Sequence, residues 1–320
     1  MKVLLTDMRH SSAGEERKVF EPFGIEIDTT FCRTEEDLIR NGRGAAGFLV
    51  SYAQVTRRVM ESLPDLKVIV KYGVGVDNID IPAAHELGRH VANVPDYCVE
   101  EVALQAMTLS LSGLRMSHAF GAQVRTGNWV EDLTAAFLHR ISGSTLGLIG
   151  YGRIARRLEL YMRPMVARVL AYDPFQARPD ADRALNAELV DSIDGLFEEC
   201  GVISIHAPLT SQTRGMVGAR ALAHSRGAIL INTSRAAIVN KEDLASALDA
   251  GRISFYGADT FWQEPADYAD PWTSGFLSRK NVLVTPHMGW YSVESEAELR
   301  RKAAQEVLRV IQGERPLHEL

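Results

Sequence analysis

The segment Thr145-Leu-Gly-Leu-Ile-Gly150-Tyr-Gly152-Arg153-Ile154-Ala155 reads as a strand, a glycine turn and the start of a helix, the turn having the form G-x-G-x-x-A. Gly150 permits a tight turn, Gly152 lets backbone approach a pyrophosphate, and Ala155 is small enough for the helix to pack on a sheet, while amides at the helix N-terminus face phosphate oxygens. Arg153 and Ile154, the first residues after the turn, belong to the same expected cofactor site. Glycine also marks ordinary tight turns, so the context carries the weight. The next strand-like run, Arg168 to Tyr172, ends at Asp173, twenty-one residues past Gly152, where an acidic side chain accepts hydrogen bonds from an adenosine ribose. The same carboxylate would repel a 2′-phosphate, so the expected cofactor is NAD rather than NADP. A second group is formed by Arg235 after Ile229-Leu-Ile-Asn-Thr-Ser, Glu264 after Gly257-Ala-Asp-Thr-Phe-Trp-Gln, and His287 after Val282-Leu-Val-Thr-Pro. Each follows a strand-like segment, where sites of parallel α/β sheets form. Taken singly they also read as a surface charge, a loop carboxylate before Pro265 and a buried imidazole.

The elements that must position these residues are visible as short apolar runs: Val3 to Leu5, Gly47 to Val50, Val68 to Val70, Leu146 to Ile149, Val169 to Tyr172, Val202 to Ile205, Ala228 to Asn232 and Val282 to Thr285. Between them lie segments with helical spacing, such as Asp37 to Arg40, Val55 to Leu63, Ile154 to Met162 and Leu244 to Leu248. Strand and helix therefore alternate as in a parallel α/β sheet buried on both faces. Two longer helical patterns run from about Val99 to His118 and from about Glu294 to Gln312, the second with Ser292 as a cap. They place domain boundaries near residues 97 and 287, giving one domain from residues 1–97 plus 288–320 and a continuous middle domain, 98–287. The stretch Arg178 to Asp182 reads as a surface loop.

Length and composition set the outer limits. Three hundred and twenty residues fit two domains, and 46% hydrophobic with 24% charged residues excludes disordered, collagen-like and disulfide-scaffold classes. Thirty-five basic against forty-one acidic residues give a net charge of -6, so neither nucleic acid nor an anionic membrane is an expected partner. Cys32, Cys98 and Cys200 lie far apart, with no C-x-x-C pair and no histidine cluster; buried thiols in a reducing compartment are expected, and no metal site. The opening Met1 to Asp7 lacks a signal-peptide pattern, and no apolar run approaches a membrane span, so a cytoplasmic setting is the expectation.

The chain resembles the D-isomer-specific 2-hydroxyacid dehydrogenase family over nearly its whole length. The residues that carry the resemblance are Tyr72-Gly-Val74-Gly75-Val-Asp-Asn-Ile-Asp80, the glycine turn, Ser204-Ile-His206-Ala207-Pro208-Leu-Thr210, Ile231-Asn-Thr233-Ser234-Arg235, Gly257-Ala-Asp259 with Glu264-Pro265, and Thr285-Pro-His287, all in the family's order. The resemblance implies two Rossmann-like or flavodoxin-like α/β domains with parallel sheets, the NAD-binding domain inserted into the substrate domain, and an active site in the cleft between them. It implies hydride transfer between NAD(H) and a small 2-oxo acid or D-2-hydroxy acid, with Arg235, Glu264 and His287 as the catalytic residues. Arg235 would hold the substrate carboxylate and carbonyl with its planar fork of donors. His287 would give the proton in reduction and take it in oxidation, and Glu264 would pair with its other ring nitrogen. The amides around Val74 and Gly75 would cradle the substrate carboxylate, with Lys71 adding positive potential. His206, Ala207 and Pro208 would flank the adenosine end of NAD, and Thr233 and Ser234 would lie near the nicotinamide. Asp259 would bind the nicotinamide carboxamide, the competing role being a helix or turn cap. The family usually forms homodimers, for which the Val99 to His118 helix with Trp129 nearby is the expected interface.

Within the family, His287-Met-Gly-Trp290-Tyr-Ser resembles the C-terminal-binding-protein branch, NAD-binding proteins that act as transcriptional corepressors in animals. That keeps an alternative open: an NAD-sensing, corepressor-like binding protein with vestigial catalysis. Trp290 and Tyr52 are candidates for a pocket wall favouring an apolar or thioether side chain, against ordinary core for Trp290 and an exposed loop for Tyr52. Glu264 replaces the glutamine of formate dehydrogenases, and Val74 the lysine of phosphite dehydrogenases, so formate and phosphite are disfavoured. No regulatory domain is expected after Leu320. Met165-Val-Ala stands where the family usually has glycine.

Overall fold

Most of the β-branched runs fold as strands and the segments between them as covering helices, in two separate sets. The computed structural model describes residues 1–7, 12–129, 138–175 and 187–320; the expected loop at Arg178 to Asp182 lies outside the described residues. The chain divides into two compact units, Met1–Cys98 with Tyr291–Leu320, and Val99–Trp290.

In the first unit, β1 (Lys2–Leu5), β2 (Glu26–Asp28), β3 (Ala45–Val50), β4 (Val68–Lys71) and β5 (His90–Ala92) form a parallel sheet in the order β2-β1-β3-β4-β5. That order reverses direction between β1 and β3, the flavodoxin-like arrangement that opens a crevice at the carboxyl ends of those two strands. β3 is buried along its whole length. Helices α1 (Gly14–Phe20), α2 (Glu35–Asn41), α3 (Arg57–Glu61) and α4 (Ile81–Glu86) belong to this unit. The expected helix from Val55 to Leu63 shrinks to α3 because Thr56 caps it and Val55 instead pairs with Ile79 in an isolated bridge.

The second unit contains α5 (Val99–Arg115), α6 (Ser117–Arg125), β6 (Thr145–Ile149), α7 (Arg153–Met162), β7 (Arg168–Tyr172), β8 (Glu188–Leu189), α8 (Ile193–Glu199), β9 (Val202–Ile205), α9 (Ala219–His224), β10 (Ala228–Asn232), α10 (Lys241–Asp249), β11 (Ile253–Ala258), α11 (Pro271–Leu277) and β12 (Val282–Val284). The seven parallel strands run in the order β12-β11-β10-β9-β6-β7-β8, so the topology switches between β6 and β9. Phe197, Ile205, Leu230 and Tyr256 are buried in one core cluster, and Leu109, Leu148, Leu158 and Phe255 in another. The single helix expected from Val99 to His118 is broken: Met116 takes a left-handed φ of 49°, so α5 ends at Arg115 and α6 starts afresh at Ser117.

The chain then re-enters the first unit as α12 (Val293–Ile311). Ser292 caps it as expected, in a reciprocal capping box with Ser295. All three cysteines are buried thiols. Among the described residues no helix is long and apolar enough to cross a membrane, and no group of three His, Cys, Asp or Glu is placed to hold a metal ion.

Candidate active site

The catalytic candidates of the second unit sit just past three adjacent strand ends. After β10, Asn232 organises the turn: its Oδ1 accepts from the Ser234 amide at 3.0 Å and hydroxyl at 2.9 Å, while its Nδ2 donates to the Arg235 carbonyl at 2.9 Å. That turn sets Arg235 at the end of the strand, where Nη1 donates to the Ser234 carbonyl at 2.9 Å. After β11, Glu264 Oε1 accepts from the Phe261 amide at 2.8 Å, and Oε2 lies 2.7 Å from His287 Nδ1. An ionised carboxylate only accepts, so the proton between them belongs to Nδ1, and Nε2 is the ring nitrogen left for a substrate. Burial pushes the Glu264 carboxyl up, but the hydrogen bond and charge of His287, the Phe261 amide and the Arg235 charge together outweigh it and hold it below its ordinary value.

His287 itself is held in a left-handed conformation, φ 55°, by the loop after β12. Asp259 clamps that loop. Its carboxylate, only 3% exposed, accepts from the Thr285 hydroxyl, from the Met288 amide at 3.1 Å and from the Gly289 amide at 2.6 Å. A Cβ at Gly289 would stand 2.6 Å from Asp259 Oδ2, so the close approach needs glycine there. Gln105 of α5 adds a hydrogen bond to the Thr285 hydroxyl at 2.9 Å. Burial raises the Asp259 carboxyl above its usual value, against the lowering effect of these donors and of His287. Of the two roles open for Asp259, the capping of a turn is thus visible in its bonds. Trp290 is half-buried, and its Nε1 donates to the His287 carbonyl at 3.0 Å.

The glycine turn lies at the switch point between β6 and β9. Gly150 has φ 84°, and a Cβ on it would fall 2.8 Å from the Ala207 amide nitrogen and 2.9 Å from the His206 carbonyl carbon. No larger residue fits there. Gly152 caps α7 without any side-chain hydrogen bond, and a Cβ on it would meet nothing within 4 Å. The ten residues of α7 therefore present uncapped N-terminal amides beside Arg153 and Ile154, with exposed Arg153 leading. Asp173 follows β7 and accepts from the Tyr151 amide at 2.8 Å and the Phe175 amide at 2.9 Å. Among the described residues, the buried polar atoms without a hydrogen-bond partner include His206 Nε2, Thr233 Oγ1 and Thr260 Oγ1, just past the ends of β9, β10 and β11. Burial drives His206 down to about 4, so the imidazole is neutral. Ala207 is buried, Pro208 exposed and Ser234 half-buried. Uncapped helix amides, an open glycine, a strand-end carboxylate and orphaned polar atoms together fit a dinucleotide. Cys200 is no nucleophile, since burial pushes its thiol up to about 12.

In the first unit, Asp7 at the end of β1 accepts from the amides of Ser51 at 2.8 Å, Tyr52, and Ala53 at 2.9 Å. It thereby shapes the turn that leaves Tyr52 46% exposed. Val74 is 42% exposed and Gly75 half-buried at the end of β4. Asn93 Nδ2 holds the Val74 carbonyl at 2.7 Å. Lys71, expected to lend positive potential, braces this turn: its ammonium donates to the Ser51 carbonyl and to Asn78 Oδ1 at 3.0 Å. Tyr72 donates to the fully buried Glu16 at 2.7 Å, and Glu16 is bound in turn by Arg300 of α12 at 2.9 and 2.7 Å.

The model of the D-isomer specific 2-hydroxyacid dehydrogenase NAD binding domain matches residues 107–289. Along almost the full chain the protein is 33% identical to the D-3-phosphoglycerate dehydrogenase of Methanocaldococcus jannaschii, over 316 residues covering 98% of this chain and 58% of that one. The chain thus spans little more than half of that relative's length. It is also 34% identical over 269 residues to the glyoxylate reductase of Thermococcus litoralis, covering 82% and 79% of the two chains. Among solved structures, the apo-structure of D-lactate dehydrogenase from Escherichia coli superposes with a TM-score of 0.83 at 28% identity, with 100% of both chains covered. The chain belongs to the D-isomer specific 2-hydroxyacid dehydrogenase family. Its cofactor is NAD, and the parallel-sheet architecture of both units is that of the family.

For a D-isomer specific 2-hydroxyacid dehydrogenase, the structure adds supports that motif spacing did not single out: Asn232 under Arg235, Gln105 beside Thr285, Asp7 under Tyr52, and Glu16 with Arg300 under Tyr72. Only Asn232 carried a local signal, an Asx-turn pattern in Asn232-Thr-Ser at a strand end. The other supports join residues far apart in sequence.

Proposed function

We propose that this chain is an NAD-dependent D-2-hydroxyacid dehydrogenase that reduces a small 2-oxo acid to its D-2-hydroxy acid, with Arg235, Glu264 and His287 as its catalytic residues. The observation that carries the reading is the Glu264–His287 pair, 2.7 Å apart at the strand ends of the NAD-binding unit, with the Arg235 charge within reach of Glu264. Bound NADH supplies the hydride. Arg235 grips the substrate carboxylate and polarises its carbonyl, a task that suits a planar fork of donors better than a lysine. His287 Nε2 gives a proton to the carbonyl oxygen; Glu264, accepting from Nδ1, orients the ring and stabilises the imidazolium before transfer. In the oxidative direction the same nitrogen takes the proton from the hydroxyl.

For the cofactor, Gly150, Gly152, Arg153 and Ile154 take the pyrophosphate, Asp173 the adenosine ribose, and His206, Ala207 and Pro208 the adenosine end. Thr233, Ser234 and Asp259 serve the nicotinamide. The unit made from both chain ends is the substrate domain, its Val74 and Gly75 amides receiving the carboxylate and Tyr52 and Trp290 walling the substrate side chain. The relatives' names cover phosphoglycerate, glyoxylate and lactate chemistry. The exposed Tyr52 and Val74 favour an acid with an apolar side chain. The same reading includes a cytoplasmic setting and a homodimer; exposed Leu104, Phe120, Val124 and Trp129 on and just after α5 and α6 support the dimer. The corepressor-like alternative rests on the Trp290 pattern alone, whereas the named relatives are dehydrogenases and reductases.

The test is NADH oxidation by purified protein with glyoxylate, pyruvate, hydroxypyruvate and longer apolar or thioether 2-oxo acids. Activity with at least one is expected, and Arg235→Lys should lower its kcat/KM by about 10² or more. Failure with every acid sinks the reading.

A further inference from the structure

The residue between the two glycines of the cofactor turn is a tyrosine, and it is 1% exposed. Every polar atom of Tyr151 is engaged. Its amide donates to Asp173 Oδ2 at 2.8 Å, its carbonyl accepts from Arg156 Nε at 3.2 Å, and its hydroxyl donates to Glu159 Oε2 while accepting from the Ala187 amide at 3.3 Å. The Arg156 guanidinium also lies 4.8 Å over the tyrosine ring. Glu159 is itself 2% exposed. Its second oxygen is bound by Arg163, through Nε at 2.9 Å and through Nη2. One residue thus ties the turn to α7 through its ring, hydroxyl and carbonyl, to Asp173 after β7 through its amide, and to the entry of β8 through its hydroxyl.

A buried carboxylate two turns into a helix is costly for folding alone, since an apolar pair of the same volume would cost less. What the arrangement gives in return is a fixed relation between Gly150, Gly152 and the axis of α7. The cofactor pyrophosphate needs that relation: the helix amides act only if the turn holds them at one distance from the phosphate oxygens. A turn already locked before binding loses less conformational freedom when the ligand arrives.

We propose that Tyr151 and Glu159, steadied by Arg163, are positioning residues that preorganise the glycine turn and so set the affinity for the dinucleotide. The proposal rests on the NAD-binding assignment of this unit and goes beyond it, because both side chains are buried inside the protein. Tyr151→Phe keeps the ring and removes the bond to Glu159. Binding of NADH and of ADP-ribose, followed by fluorescence and calorimetry on the whole protein, should weaken by a common factor of about ten, the worth of one buried hydrogen bond to a charged group. kcat at saturating NADH should stay within about twofold, because the reacting groups are untouched. Glu159→Gln, which still offers an acceptor to the hydroxyl, should retain most of the wild-type affinity. A Tyr151→Phe protein with a lowered melting temperature but unchanged dissociation constants for both ligands would overturn the proposal and leave Tyr151 as core. Should that variant fail to fold, Arg163→Met, altering a half-exposed side chain, replaces it: unchanged NADH affinity again overturns the proposal, and weakened affinity supports it. Wild-type protein that bound neither ligand would instead sink the NAD assignment, so the two failures are distinguishable.

Discussion

Glu264 and His287 share one hydrogen bond, 2.7 Å long, on which the proposed proton relay depends. Burial pushes the Glu264 carboxyl up, but His287, the Phe261 amide and the Arg235 charge hold it below its ordinary value, so it stays an anionic acceptor at neutral pH. On the proposed reading, Glu264→Gln should cost about tenfold or more in kcat/KM for 2-oxo acid reduction at neutral pH; an unchanged kcat/KM would remove Glu264 from the relay. His206 supplies a stability test of opposite character. Its native value is pushed to about 4 from 6.5 by burial of Nε2. Between those values the unfolded chain binds a proton that the native chain does not, so stability is lost as pH falls from about 6.5 towards 4. His206→Gln should flatten that loss by at most about 3 kcal/mol, less in so far as the ring is partly exposed, as read from urea unfolding at pH 7 and 4.5. Glu264 and His287 were legible in the sequence as strand-end candidates, because strand ends in a parallel sheet are where side chains converge, whereas His206 entered only through the family resemblance. The orphaned Nε2 was not, because burial is a property of what packs around a residue.

At the scale of elements, the apolar runs marked most buried strands and the edge strand β12, but missed the central β11 and the other short edges. Gly47 to Val50 lies within β3, and Ala228 to Asn232 coincides with β10. By contrast, β2, β5 and β8 are two or three residues long and carry Glu26, Asp28, His90 and Glu188, so no run announces them. Nor does spacing reveal the break at Met116, whose left-handed backbone interrupts an otherwise continuous helical pattern. The loop from Thr285 to Gly289 depends on a carboxylate from another strand end. Asp259→Ala should lower kcat about 10²-fold by freeing His287 from its left-handed position, with only a few degrees lost in melting temperature. Steady-state kinetics and thermal melting check this, and an unchanged kcat would reduce Asp259 to a space-filling role. The joint between α1 and α12 is of another kind. Arg300→Met would leave Glu16 charged and fully buried without its bidentate partner, which should cost about 3–5 kcal/mol in denaturant unfolding. The double variant with Glu16→Leu should recover much of it.

For the whole molecule, a net charge of -6 means that the two anionic ligands of the proposed reaction would have to be drawn in by local devices rather than by a general field. The residues proposed for this belong to separate units: the glycine turn, α7 and Arg235 to Val99–Trp290, and Val74 and Gly75 to the unit built from both chain ends. Each unit has its own buried sheet, so cofactor binding can be separated from folding. Gly152→Asp is the decisive variant. Nothing stands within 4 Å of a Cβ at that position, so the fold should tolerate the change, while a carboxylate at the first amides of α7 would repel the pyrophosphate. In wild-type protein, NADH at about a hundred times its dissociation constant should stabilise the native state by about 2.7 kcal/mol. Hydrogen exchange should then slow in the Gly150–Met162 and Asp173 segments. The variant should melt near the wild-type temperature without NADH and show neither the ligand-induced shift nor the protection. If it gained both, the pyrophosphate would have to lie elsewhere, and the assignment of the turn would fail along with everything built on Tyr151.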